Sequence, residues 1–247
     1  MLSYQHIYHA GNLADMHKHS ILSILLDHLI QKDKPLHYME THAGAGYYDL
    51  NSKESLKTAE AKEGILKYIN SSLPLPYKNT IAQIQSHYGQ NIYPGSPLIA
   101  KTILRETDEL SLMELHPAEF EKLKQNMYFK NVHIHKRDGY SGVLAITPPK
   151  IRRGVILIDP PYEVKDEYKW VVDFISKVNK KWAEAVIVLW YPILKEGYYK
   201  PMVNTIADAN YKNFYKNELL FKETSKSMLG SGILIINTPY GVESKIK

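Results

Sequence analysis

The tetrapeptide Asp159-Pro160-Pro161-Tyr162 directly follows the apolar run Val155–Ile158 and sets a carboxylate, two rigid prolines and an aromatic ring side by side. Proline fixes φ and has no N–H, so the Pro160 carbonyl is left free to accept from an incoming donor. An amino group held between Asp159 and that carbonyl is turned with its nitrogen lone pair toward an electrophile. Tyr162 offers a face on which a flat ring carrying the amine can stack. The same residues would also serve as a plain strand stop with Tyr162 covering it. A look-alike, Asn237-Thr238-Pro239-Tyr240, follows the last apolar run but lacks the carboxylate, and reads as a structural stop.

Other turns carry further candidates. Glu40-Thr41-His42-Ala43-Gly44-Ala45-Gly46 has glycines that permit a tight turn and close approach of backbone to a ligand. It is neither GxGxxG nor GK[ST], which disfavours a dinucleotide or a nucleoside triphosphate. Glu114, ending another apolar run, can accept from both hydroxyls of a ribose or stand simply solvated. Asp138, beside Gly139, can accept from an exocyclic amine, although an Asp-Gly turn alone would explain the pair. The histidines His6, His9, His17, His19, His133 and His135 raise a metal-dependent hydrolase or nuclease as a rival. His17 and His19 are two apart on an expected helix and face different directions, and HExxH spacing is absent. No metal site is expected.

Each candidate turn needs an element to position it. The β-rich runs are Leu36–Glu40, Leu110–Leu115, Val132–His135, Val155–Ile158, Ala185–Trp190, Phe214–Phe221 and Gly232–Asn237. Helical patterns separate all but the last two. That alternation predicts an α/β fold with seven strands, mostly parallel, and an antiparallel edge hairpin. Ligands in such sheets bind beyond the carboxyl ends of the strands, where these turns would lie. A helix over about 14–32 precedes the first strand, with Ile21, Leu22, Leu25 and Leu29 on one face. Residues from about 51 to 94 exceed an ordinary connection and carry helical signals broken by Pro74 and Pro76. They read as a helical insertion near the ligand edge of one domain spanning 1–247. Ser96-Pro97 then opens the next helix.

Composition bounds the reading. The 247 residues contain no cysteine, which excludes disulfides, thiolate zinc sites and thiol nucleophiles. With 44% apolar and 23% charged residues the chain is ordinary globular material. The longest apolar stretch, Ala185–Leu194, falls well short of a membrane helix, and residues 1–20 lack an apolar signal core. A cytoplasmic location is expected. The net charge of +5 is a modest basic excess, for which Lys32, Lys34, Arg152 and Arg153 are candidates to form a face around the site's mouth. Nineteen tyrosines against five phenylalanines suit stacking on bases, though packing explains most of them equally well.

An acid after the second strand, an Asp after the third and DPPY after the fourth resemble the class I S-adenosylmethionine-dependent amino methyltransferases. The blocks LSYQHIYHAGNLADMHKHS, THAGAG, YPGSPLIA, LMELHP, RDG, RRGVILIDPPYE and WYP are similar, in register over nearly the whole chain, to the RlmJ family of 23S rRNA adenine-N6 methyltransferases. HAGN and YPGSP are peculiar to that family, whereas DPPY is shared with many N6-adenine and N4-cytosine enzymes. The resemblance implies a Rossmann-like sheet and S-adenosylmethionine as cofactor, surrounded by His19, His42, Ser96, Glu114, Asp138 and Gly139. It implies that Asp159 is catalytic, that Tyr4 contacts the RNA, and that the substrate is 23S rRNA before full ribosome assembly, with no membrane or metal partner. Lys18 is a candidate to touch cofactor carboxylate or RNA phosphate, against a plain surface lysine.

The chain departs from the family pattern at Glu40, where Asp is expected, at Tyr47, where Arg would follow THAGAG, and in NTPY, where NPPW is expected. It also stops sooner after its last strand than the family leads one to expect. Competing readings keep the chemistry and change the substrate, or drop the chemistry. An N6-adenine DNA methyltransferase, or a protein acting in the use of external DNA, would lack a visible DNA-recognition region. A glutamine methyltransferase would carry a motif closer to NPPY. A non-catalytic RNA-binding module would leave DPPY without a job.

Overall fold

The computed structural model describes residues 4–70, 73–222 and 228–246. Seven strands form the main sheet: β1 (His37–Glu40), β2 (Glu109–Glu114), β3 (Val132–Lys136), β4 (Gly154–Ile158), β5 (Val186–Leu194), β6 (Tyr215–Leu220) and β7 (Met228–Ile236). Their spatial order is β3-β2-β1-β4-β5-β7-β6. β1 pairs in parallel with both β2 and β4, so the chain starts mid-sheet, winds outward one way and then the other. The order reverses beside β1, and a crevice opens there over the carboxyl ends of the strands.

β4 shows why these runs become strands. Val155 and Leu157 enter one apolar core while Ile156 and Ile158 enter the other, the two-residue alternation of a strand covered on both faces. The expected antiparallel edge hairpin is β6 and β7, with β7 inserted between β5 and β6 and antiparallel to both. One detail differs from the expectation: β5 runs on through Pro192 to Leu194 rather than ending at Trp190. β4 stops opposite Leu189, so beyond it β5 has a neighbour on one side only, and a proline costs no ladder bond on the free side.

Helix α1 (Leu13–Ile30) is buried nearly all round rather than on one face. It packs against β7 and against helices α2 (Leu75–Tyr88) and α3 (Ser96–Ile103). Asn12 caps it by accepting from the Asp15 N–H at 2.9 Å. Short helices at Lys53–Thr58, Glu60–Glu63 and Ile65–Tyr68 precede α2. A ribbon that the sequence did not reveal closes the base of this segment: Tyr47–Asp49 pairs antiparallel with Ile92–Pro94. Gly64 fits tightly here, because a Cβ would run into the Gly11 carbonyl. Helices α4 (Pro117–Asn126), α5 (Gly139–Ile146), α6 (Glu167–Lys181) and α7 (Tyr199–Asp208) follow β2, β3, β4 and β5 in turn. Among the described residues no helix is long and apolar enough to cross a membrane.

The expected basic face is corrected here. Lys34 stands three residues before β1, and Arg152 and Arg153 immediately precede β4. The Arg153 guanidinium donates to the carbonyls of Lys34, at 2.8 Å, and Leu29, and Arg105 donates to the Lys32 carbonyl at 3.1 Å. Lys32, Lys34, Arg152 and Arg153 thus lie beside the amino ends of the strands, the edge opposite the crevice.

Candidate active site

A cleft of about 460 Å³ occupies the carboxyl-end crevice, and every site residue singled out from the sequence lines it: Tyr4, Lys18, His19, His42, Ser96, Glu114, Asp138, Gly139, Asp159, Pro160 and Tyr162. The tertiary structure decides how they are arranged.

Asp159 leaves β4 and accepts from Lys18 Nζ at 2.6 Å. The same ammonium lies 3.1 Å from Asp15 Oδ1. Lys18 is therefore no surface lysine reaching for phosphate: it is 4% exposed and shared between two carboxylates. Burial opposes its charge, but the attraction of Asp159 and Asp15 outweighs burial and raises its pKa. Asp15 also accepts from the Gly11 N–H at 3.0 Å and from His6 Nε2 at 2.8 Å. His6 Nδ1 in turn accepts from the Tyr4 hydroxyl at 2.8 Å. Burial pushes the Asp15 carboxyl up, yet His6, Lys18 and His19 together hold it well below the carboxylate range. A continuous polar chain thus runs Tyr4–His6–Asp15–Lys18–Asp159. Sequence reasoning passed over Asp15; its only signal was the i, i+3 spacing to Lys18 on one helix face.

His19, expected beside the cofactor, is 1% exposed, with Nδ1 2.9 Å from the Tyr93 hydroxyl. Burial lowers its pKa to about 3, against the pull of Asp15. It meets any ligand as a neutral imidazole. His42 lies on the β1 turn, with Nδ1 2.8 Å from Thr41 Oγ1, and burial lowers its pKa to about 4. Ser96 donates to Glu40, which also accepts from the Tyr38 hydroxyl at 2.9 Å. Burial, aided by Asp159, raises the Glu40 carboxyl to about 8 despite those two hydrogen bonds.

Glu114 spends one oxygen on each of two backbone donors, the Gly44 N–H at 2.8 Å and the His116 N–H at 2.7 Å. It thereby fixes the β1 turn against the start of α4. Gly139 is required for close approach, because a Cβ would run into the Thr41 carbonyl, so the turns after β1 and β3 touch through backbone. Asp138 caps α5 by accepting from the Ser141 N–H at 2.8 Å and remains exposed. Tyr162 adopts a left-handed φ of 52°. Its hydroxyl donates to the Trp190 carbonyl at 3.0 Å, and one ring face is stacked on Tyr168, centroids 4.5 Å apart. Trp190, which sequence reasoning did not assign to the site, lines the cleft with its ring 5.6 Å from Lys18 Nζ. Asn237, in the look-alike tetrad, donates to the Ala183 and Ala185 carbonyls at 2.7 and 2.8 Å, away from the cleft.

The buried histidines make stability pH-dependent. His19, His42 and His37, the last held to about 4 by burial, all bind protons more weakly folded than unfolded. Between pH 6.5 and about 4 the unfolded chain takes up protons that the fold refuses, so the histidine contribution is full above 6.5 and falls as pH drops; the buried carboxyls Glu40, raised to about 8, and Glu167, raised to about 7, act the other way from about pH 4.5 upward, and the three histidines outweigh the two. Each histidine contributes up to roughly 1.4 kcal/mol per pH unit in that window. Urea unfolding at pH 7 and pH 5 measures this, and a midpoint that does not fall at pH 5 contradicts it.

A family model described as "Ribosomal RNA large subunit methyltransferase D, RlmJ" matches residues 33–247. The chain is 38% identical to "Ribosomal RNA large subunit methyltransferase J" of Escherichia coli (strain K12), over 100% of this chain and 90% of that protein. Its Haemophilus influenzae counterpart of the same name is 39% identical, over 100% and 91%. The crystal structure of protein LPL1258 from Legionella pneumophila superposes with a TM-score of 0.87 at 39% identity, covering 96% of this chain and 90% of that one. The METTL16 MTase domain, at 11% identity and a TM-score of 0.52 over 90% of this chain and 66% of its own, shares the fold.

Proposed function

The chain belongs to the RlmJ family of ribosomal RNA large subunit methyltransferases, and from that premise we propose that it transfers a methyl group from S-adenosylmethionine to N6 of an adenine in 23S rRNA. One observation carries the reading. Asp159 and Pro160 stand at the end of a buried central strand and face a cleft whose other end is built from the backbone of the β1 and β3 turns.

The cleft fits such a cofactor. Its volume of about 460 Å³ lies within the range of roughly 300–1,000 Å³ usual for small-molecule sites. His19, His42, Ser96, Glu114, Asp138 and Gly139 line it and form the wall that would hold the cofactor. When bound, S-adenosylmethionine supplies a methyl group already activated on a sulfonium, so no protein nucleophile is needed. What remains for the protein is positioning. The Asp159 carboxylate and the Pro160 carbonyl accept the two N–H bonds of the adenine amine. That favours a pyramidal nitrogen and stabilises the positive charge that grows on it. Lys18 grips Asp159 and fixes the direction the carboxylate faces. Tyr162, backed by Tyr168, offers its ring to the base, and Tyr4 contacts the RNA. The adenine must leave its stack to enter. We place the reaction in the cytoplasm on 23S rRNA that has not yet been covered by assembly.

The test is transfer of a labelled methyl group to protein-free 23S rRNA, to assembled large subunits and to DNA, with analysis of the released nucleosides. N6-methyladenosine is expected in protein-free rRNA, with much less in assembled subunits. Label appearing only in DNA would replace the substrate, and the absence of N6-methyladenosine from all three would end the reading.

A further inference from the structure

Glu119 lines the cleft, is 3% exposed, and has no part in the reaction as described above. It stands at the third position of α4, three residues after the N-cap His116. An acid there ordinarily folds back onto the N-cap backbone N–H. Here Glu114 has taken that donor, at 2.7 Å. Glu119 Oε1 accepts from Lys122 Nζ at 3.1 Å, while Oε2 is buried with no donor among the described residues. A carboxylate oxygen desolvated in this way needs a hydrogen bond from something else.

Tyr48 presents the complementary need in the same cleft. It is 3% exposed, and its hydroxyl oxygen accepts from the Ala45 N–H at 3.1 Å. Its own proton has no acceptor among the described residues. Gly44, whose N–H is held by Glu114, lies directly alongside, since a Cβ there would run into the Tyr48 hydroxyl. Glu114 grips both the Gly44 N–H beside Tyr48 and the His116 N–H at the N-cap of the helix that carries Glu119, which brings the three side chains to one corner of the cleft; the charge of Glu119 adds to burial in raising the pKa of both Tyr48 and Glu114. A ligand group that satisfies Tyr48 and Glu119 together must accept one hydrogen bond and donate another. An ammonium only donates and a carboxylate only accepts; a hydroxyl does both.

We infer that Glu119 and Tyr48 read one hydroxyl of the cofactor's ribose while Glu114 takes the other. Glu119 is then a specificity-determining residue that distinguishes ribose from deoxyribose in the donor. The inference rests on the assignment of S-adenosylmethionine to this cleft, and its test needs neither RNA nor turnover. Calorimetric titration with S-adenosylhomocysteine and with its 2′-deoxy and 3′-deoxy analogues compares the unmodified protein with Glu119→Gln and Tyr48→Phe. Thermal melting without ligand shows that each variant is folded. The unmodified protein is expected to bind one deoxy analogue about tenfold more weakly than the parent compound. Both variants should lose about tenfold for the parent compound yet bind that analogue as the unmodified protein does. Variants that bind the parent compound normally, or that weaken parent and both analogues equally, would overturn the inference and leave a water between the two side chains. Failure of the unmodified protein to bind S-adenosylhomocysteine at all would instead bring down the cofactor assignment, and this inference with it.

Discussion

Replacing Asp159 with Asn should leave S-adenosylhomocysteine binding within a few-fold of normal and lower methyl transfer by roughly 10³-fold, about the loss seen when a preorganised electrostatic group is removed from an active site. The substitution preserves shape but removes the anion that receives the amine's proton-bearing edge. An Asn side chain offers one acceptor and also turns an NH₂ toward either the substrate or Lys18, where it repels. Lys18 keeps Asp15 at 3.1 Å, so the fold around the site survives. Asp159→Ala should lose at least as much transfer. Single-turnover assays with a labelled donor, run beside a binding titration, separate the two effects. A rate within tenfold of normal would remove Asp159 from the chemistry.

Lys18→Met is expected to cost stability as well as rate. The substitution keeps an aliphatic stem beside Trp190 but leaves two carboxylates, Asp15 and Asp159, facing each other in a buried site without the cation between them. Breaking a buried pair from one side typically costs roughly 3–5 kcal/mol, because the stranded charge has lost its hydration and gained nothing in exchange. The deficit at pH 7 should shrink as the pH approaches the carboxylate range, where the variant relieves repulsion by taking up a proton. Adding Asp15→Asn to Lys18→Met should recover part of the loss, the coupling expected of groups in contact. Urea unfolding of the unmodified protein, Lys18→Met, Asp15→Asn and the double variant, at pH 7 and at lower pH, measures all of this. A single Lys18→Met variant within about 1 kcal/mol of normal would show that the ion pair does not hold this corner together.

The local features of the site were legible in the sequence because they are written in neighbouring residues. Val155–Ile158 is uniformly apolar because β4 is covered on both faces, and Asp159-Pro160 ends it because a proline cannot continue the ladder. Gly139 stands where backbone must meet backbone, Gly44 takes a left-handed φ of 61° in the turn after β1, and Asn12 and Asp138 cap the helices they precede. From such signals the strands, their turns and the cleft-lining residues could be named, together with the family to which the blocks belong.

What only the tertiary structure decided concerns side chains far apart along the chain. Lys18 and Asp159 are separated by 141 positions, and nothing in either neighbourhood says that the lysine turns inward. His17 is bound by Asn217 and Ser231 for the same reason. Glu119 has an unspent oxygen only because Glu114, on the strand before it, reaches the N-cap donor first. The basic residues show the limit most plainly: composition counts charges but does not say at which end of a strand they lie. A five-residue strand separates its two ends by roughly 16 Å, and Arg152 and Arg153 fall at the end away from the cleft. Hydrophobic periodicity and turn chemistry are short-range and survive in the order of residues. Ion pairs and shared donors are set by how the strands are ordered and directed, and that exists only once the chain has folded.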